Sequence, residues 1–200
     1  MSKIMALDIE TGNFSHEIGG WDKTHMFDTT VLATWDGEEA HVFSKADDVI
    51  VADAQMHPLH PRDLGEHLKK HVDNGGIVIG HNIRGFDLPV LRDALDMHYA
   101  GVLLNKKESI VDTSWEVRSA SGKSHHLDHL CKHTLGVGKE IMDSADAPIA
   151  WQEGRYADVI KYCIADCKLN YDLFLHGRTE GFVKGRNAET GLIEEYQIGW

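Results

Sequence analysis

Apolar segments recur along this chain in two settings, and the change between them limits the folds open to it. Near the N-terminus, Lys3–Asp8, "TTVLATW" and "EAHVFS" follow one another, and Asp36-Gly37 between the last two is a hairpin signal. Further on, "GGIVIGHN" and "SIVDTSW" stand singly between segments of helical spacing and read as short buried strands. Asp63–Asp73 carries Leu64, Leu68 and Val72 at helical intervals. "DLPVLRDALDMHY" reads as one helix with Asp87 as N-cap and Pro89 in its first turn. "HHLDHLCKHTLG" reads as a helix closed by Gly136, and Arg155–His176 as the last strong helix. Pro58 and Pro61 mark a loop before the first helix. A hairpin-linked antiparallel set followed by single strands between helices predicts a mixed sheet with helices packed on it, an α/β domain. The tail alternates around Asn187–Gly191 and predicts a small hairpin, so the chain divides into a 1–180 domain and a 181–200 extension packed on the same domain.

Two hundred residues suit one domain with a sizeable core. The 42% hydrophobic and 26% charged fractions are those of a soluble globular chain. No apolar run approaches the roughly 20 residues needed to cross a bilayer, and the N-terminus lacks a secretory pattern. The expectation is a cytoplasmic protein with no membrane partner. Cys131, Cys163 and Cys167 are odd in number and spread out, which argues against a disulfide framework. The formal charge of −12 disfavours tight, non-specific coating of duplex nucleic acid. It is compatible with a site that holds divalent cations, because such a site is itself acidic and the metals supply the positive charge. A chain this acidic leaves room for a protein partner that contributes a basic surface.

Four carboxylates stand where an ordinary strand or helix has no need of them. Asp8 and Glu10 lie two apart in "KIMALDIETG" and so point to the same side of a strand. Like charges that close raise one another's pKa. Either the strand runs out into solvent there, or a cation sits at its end. Asp87 in "GHNIRGFDLPVL" is either a helix cap or a third acid of the same site. Asp166 in "YCIADC" is one turn beyond Tyr162, on a helix face shared with Val159 and Leu169. A carboxylate on a core-facing stripe is costly unless it is paired or bound to metal.

"LDIETG", "GHNIRGFDLPVL" and "YCIADCKL" resemble, in order, the three motifs of the DEDD superfamily of 3′–5′ exonucleases. Tyr162 four residues before Asp166 resembles the DEDDy branch; the sister branch has a His five residues before the Asp, where this chain has Lys161. The likeness is closest to the proofreading domain of family B DNA polymerases, here without a polymerase, and spans Leu7 to Leu169. The resemblance implies an RNase H-like fold with a five-stranded mixed sheet, three antiparallel strands first, flanked by helices. It implies two divalent cations, Mg²⁺ or Mn²⁺, held by Asp8, Glu10, Asp87 and Asp166, with Tyr162 orienting the attacking water.

The activity so implied is phosphodiester hydrolysis from the 3′ end of single-stranded or frayed DNA, releasing nucleoside 5′-monophosphates. The same chemistry on RNA or short oligonucleotides is the alternative, and a catalytically silent nucleic-acid-binding module is a third reading. Hard cations of this kind take carboxylate oxygens and water, in keeping with four acids and no His or Cys ligand. Thr11, Gly12, Asn82, Arg84 and Phe86 flank the motifs as candidates for substrate contact. Gly12 leaves space for a nucleotide to approach the backbone, and an aromatic ring at Phe86 suits base stacking. Asn82 could equally tie its own loop, and Arg84 could reach a phosphate or solvent. His125, His129 and His133 recur at four-residue intervals. They form either a zinc-binding helix face or a polar face beside the substrate cleft, the second being favoured because no metalloprotease-like Glu accompanies them.

Overall fold

The computed structural model describes residues 3–138 and 142–200; Met1, Ser2 and positions 139–141 of the 1–180 segment lie outside the described residues. Six strands, β1 (Ile4–Thr11), β2 (Thr29–Trp35), β3 (Ala40–Ser44), β4 (Ala54–Pro58), β5 (Ile77–Gly80) and β6 (Ile110–Asp112), form one sheet in the order β4-β3-β2-β1-β5-β6. β1, β2 and β3 are antiparallel neighbours, whereas β5 joins β1, β6 joins β5 and β4 joins β3 in parallel. The described helices are α1 (Pro61–Asp73), α2 (Asp87–Asp93), α3 (His98–Asn105), α4 (Thr113–Ser121), α5 (Leu127–Thr134), α6 (Ala147–Gln152) and α7 (Tyr156–Glu180). The chain ends in the hairpin β7 (Phe182–Arg186) and β8 (Ile193–Gln197), whose Val183 and Tyr196 pack on Val117, Leu127, Leu130 and Leu173. None of the described helices is long and apolar enough to cross a membrane.

The α/β architecture with its antiparallel strands first is as the sequence predicts, but the sheet has six strands rather than five. The addition is β4, in the segment punctuated by Pro58. Its residues "AQMHP" are half-buried or exposed and carry no apolar alternation. They become a strand only because β3 offers them an unpaired edge, and Pro58 is tolerated at the strand's last position on that edge. The single helix expected over "DLPVLRDALDMHY" is two, α2 and α3, broken where Asp96 takes a left-handed φ of 53°. "SIVDTSW" is strand only to Asp112; the rest opens α4, with the Asp112 side chain accepting the Trp115 N–H as N-cap.

Both faces of β1 are covered. Met5, Leu7 and Ile9 pack into a core with Leu64, Leu68, Leu88, Leu91 and Leu103 from α1, α2 and α3. Ile4 and Ala6 pack on the opposite face against Val159, Ile160 and Cys163 of α7. Alternation therefore sends Asp8 and Glu10 to the α7 face.

Candidate functional site

The register of the sheet leaves an opening beside the two carboxylates. β5 follows β1 only from Ile4 to Ala6, while β2 continues opposite Asp8, Ile9 and Glu10 at Ala33, Leu32 and Val31. Beyond Gly80 the chain peels away, so one edge of β1 is released next to Asp8 and Glu10. The Asp87 carboxylate occupies that edge, accepting the Ile9 backbone N–H as well as its own. It does not act as the N-cap of α2; Phe86 holds that position, and Asp87 is the first helical residue, 5% exposed. The opening lies where β1 has an antiparallel neighbour on one side and a parallel one on the other, at the carboxyl ends of the parallel strands.

Helix α7 closes the site from the other side. The Cys163 thiol donates to the Asp8 carbonyl (3.4 Å) and the Cys167 thiol to the Ala33 carbonyl (3.2 Å), tying the helix to β1 and β2. Burial pushes the Cys167 thiol well up, and Asp8, Asp166, Asp87 and Glu10 all push it further. The four acids, more than 150 residues apart at the extremes, thus all lie within electrostatic reach of Cys167. The ligand atoms of Asp8, Glu10 and Cys163 lie within 4.8 Å of one another. Burial, then Asp112 and Asp166, push the Asp87 carboxyl up to about 7 despite the two N–H groups it accepts.

This donor set fits hard divalent cations. Its oxygens come from carboxylates that disfavour one another's charge, which a cation reverses. Cys163, the soft donor among them, is held in its protonated form by burial first and then by Asp8, and its S–H is directed at the Asp8 carbonyl.

Asp8 and Glu10 share one cluster of ligand atoms, while Asp87 and Asp166 lie near enough to act on Cys167 but do not join that cluster. Tyr162 is buried one turn from Asp166, its hydroxyl 3.0 Å from Ser144 Oγ. Thr11 donates its hydroxyl to the Asn13 carbonyl (3.0 Å). Gly12 is packed inward: its N–H reaches the Asp28 carbonyl, and its own carbonyl accepts from Gln152 (2.8 Å). Asn82, in a left-handed conformation (φ 70°), leaves its side chain exposed. The Arg84 guanidinium is turned to the carbonyls of Lys107 and Ile110 (3.2 Å each). Phe86 meets Trp21 and Phe27 edge-on, with ring centres 5.4 and 5.0 Å apart. Of His125, His129 and His133, none joins a cluster of ligand atoms close enough to share an ion among the described residues.

Sequence reasoning missed three features. Asp112 accepts the N–H groups of Asn82 (3.0 Å), Arg84 (2.9 Å) and Trp115 (3.1 Å), and so holds the loop that leads to Asp87. An Asp directly after a short apolar run and before a helical one is a cap signal that could have found it. Trp21 (67% exposed) and Trp115 (62% exposed) flank the same loop; nothing in the local pattern of "GGWDKT" points to the first. His81, Thr113 and Asn170 form a buried polar chain behind the loop, with Thr113 Oγ1 2.7 Å from Asn170 Oδ1 and 3.1 Å from His81 Nδ1.

No model of a known protein family matches the chain. Nor does any curated protein.

Proposed function

We propose that the protein is a metal-dependent 3′–5′ exonuclease of the DEDDy type, with an RNase H-like fold, acting on single-stranded or frayed DNA ends. The observation that supports it is the meeting of Asp8, Glu10, Asp87 and Asp166 around the released edge of β1. Two divalent cations, Mg²⁺ or Mn²⁺, when bound supply a water of lowered pKa and stabilise charge on the phosphate and the leaving 3′ oxygen. Asp8 and Glu10 would hold them from the strand, Asp166 from α7 and Asp87 from the start of α2. The Asp87 carboxyl, pushed up to about 7 by burial and then by Asp112 and Asp166, would ionise more readily beside a bound cation. The Tyr162 hydroxyl, steadied by Ser144, orients the attacking water. Trp21, backed by Phe86 and Phe27, and Trp115 offer aromatic faces to unstacked bases on either side of the loop. The preference for DNA over RNA rests on the likeness to polymerase proofreading domains.

The test is a time course on matched single-stranded DNA and RNA oligonucleotides, labelled at the 5′ end, with Mg²⁺, Mn²⁺ or EDTA. A metal-dependent ladder shortening from the 3′ end is expected, faster on DNA. Asp8→Asn should cost on the order of 10³-fold in rate or more with unchanged circular dichroism. Folded protein that makes no ladder with either metal overturns the reading in favour of a binding module.

A further inference from the structure

A second polar cleft lies outside the carboxylate cluster. It has a volume of about 540 Å³ and runs between the α4–α5 turn and the tip of the terminal hairpin, lined by Lys123, His126 and His129 on one wall and Arg186 and Asn187 on the other. His125 and Tyr196 close its floor, ring centres 5.1 Å apart. Gly185 permits this closure, because a Cβ there would stand 2.9 Å from the Tyr196 ring and 3.1 Å from His125. The hairpin tip is well braced: the Asn187 side chain accepts the N–H groups of Glu189 and Thr190 and donates to Glu194.

The cleft brings two cations, Lys123 and Arg186, together with one carboxylate, Glu189. Arg186 is exposed, directs its Nε–H to the Gly191 carbonyl (3.2 Å) and makes no ion pair with a described residue. Lys123 pairs with Glu189 (2.6 Å), but that pair is exposed and so contributes little. Lys45, Arg62, Lys69, Arg92, Lys132 and Arg155 each face a carboxylate, whereas Arg186 is one of several described cations that do not.

The cleft is also connected to the carboxylates. The His125 carbonyl is 2.8 Å from His81 Nε2, and His81 opens the loop that ends at Asp87. Helix α4 begins beside Gly80, where the Thr113 hydroxyl reaches the Gly80 carbonyl, and ends at Ser121 on the cleft wall. Its nine residues span about 13 Å, with exposed Trp115 in the first turn.

We infer that this cleft is a second nucleic-acid site, in which Arg186 and Lys123 hold the phosphate backbone of a single strand on the 5′ side of the end bound at the carboxylates. The assignment rests on the exonuclease reading for its polarity, though not for the binding itself. Phosphate matches an exposed guanidinium that makes no ion pair with a described residue and is flanked by hydroxyl and imidazole donors, and exposed Trp115, in the first turn of the helix that links the two sites, gives the intervening base a platform. The terminal hairpin, in this view, is the second wall of the substrate path.

The experiment is fluorescence anisotropy of a labelled single-stranded DNA 12-mer in EDTA, across a salt series, on wild type, Arg186→Glu, Arg186→Gln and Lys123→Gln. Arg186→Glu should weaken binding about tenfold or more, and each Gln variant should lower the slope of log K against log salt by about 0.7 per lost phosphate contact. Thermal melts check that these exposed substitutions leave the fold intact. Unchanged affinity and slope in all variants, or no binding by wild type, overturns the cleft. So does displacement of the 12-mer by a polyglutamate peptide at equal affinity, which assigns the cleft to acidic peptides. Wild-type hydrolysis of the same 12-mer with Mg²⁺ or Mn²⁺ is read separately: its absence together with Arg186-dependent binding removes the exonuclease reading and keeps the cleft.

Discussion

At Gly12 a Cβ would stand 2.8 Å from the Asp28 carboxylate, 3.0 Å from Thr30 and 3.1 Å from the Trp151 ring. Two of those neighbours belong to β-structure or its approach and one to α6, so they cannot all move aside cheaply. Gly12→Ala should therefore lower stability by about 1–3 kcal/mol in urea titrations, as overpacking does. A glycine needed only for nucleotide access would instead leave stability unchanged and raise KM. The contrast shows what single positions can and cannot say. "LDIETG" discloses a strand and two carboxylates on one side of it, because alternation is a property of neighbouring residues. That Gly12 is squeezed between β2 and α6 depends on Trp151, which is 139 positions away.

Among the elements, the loop between β5 and α2 does the positioning, and Asp112 at the start of α4 holds it. Its carboxylate accepts three backbone N–H groups, two of them from the loop. Asp112→Ala should cost about 1–3 kcal/mol, as loss of an N-cap together with two further charge-assisted bonds. Amide hydrogen exchange should quicken at Asn82, Arg84 and Trp115 and stay slow in β2. Equal exchange in the variant would mean that the loop is held by Leu88 and Ile83 in the core alone. The helices α1, α5 and α7 are legible from their apolar spacing and glycine stops. The division of α2 from α3 and the shortness of β6 are less so, since both turn on caps and on one left-handed residue.

For the molecule as a whole, buried Asp87 and half-buried His67 give the metal-free protein opposite dependences on pH. Between the ordinary 3.8 of an aspartic acid and about 7, folded Asp87 keeps a proton that the unfolded chain has lost, so stability falls as pH rises through that window. Burial, then His41 and His57, push His67 down from 6.5 to about 4. The unfolded chain therefore binds a proton there that the folded one refuses, and stability falls as pH drops from 6.5 to 4. In EDTA, chemical denaturation from pH 4 to 8 should show the first slope flattened in Asp87→Asn and the second in His67→Gln. Added Mg²⁺ at pH 8 should stabilise wild type more than Asp87→Asn; profiles identical in all three proteins would remove both assignments. Local pattern alone is enough to disclose an α/β chain, its antiparallel start, its terminal hairpin and the shared side of Asp8 and Glu10, since periodicity and spacing are written in neighbouring residues; only the resemblance of the motifs linked those two to Asp87, Tyr162 and Asp166. The sixth strand, the seating of Asp87 on the Ile9 N–H, the hold of Asp112 and the cleft under the hairpin were decided in three dimensions. Each arises when one segment supplies the hydrogen-bonding edge, the charge or the wall that a distant segment lacks.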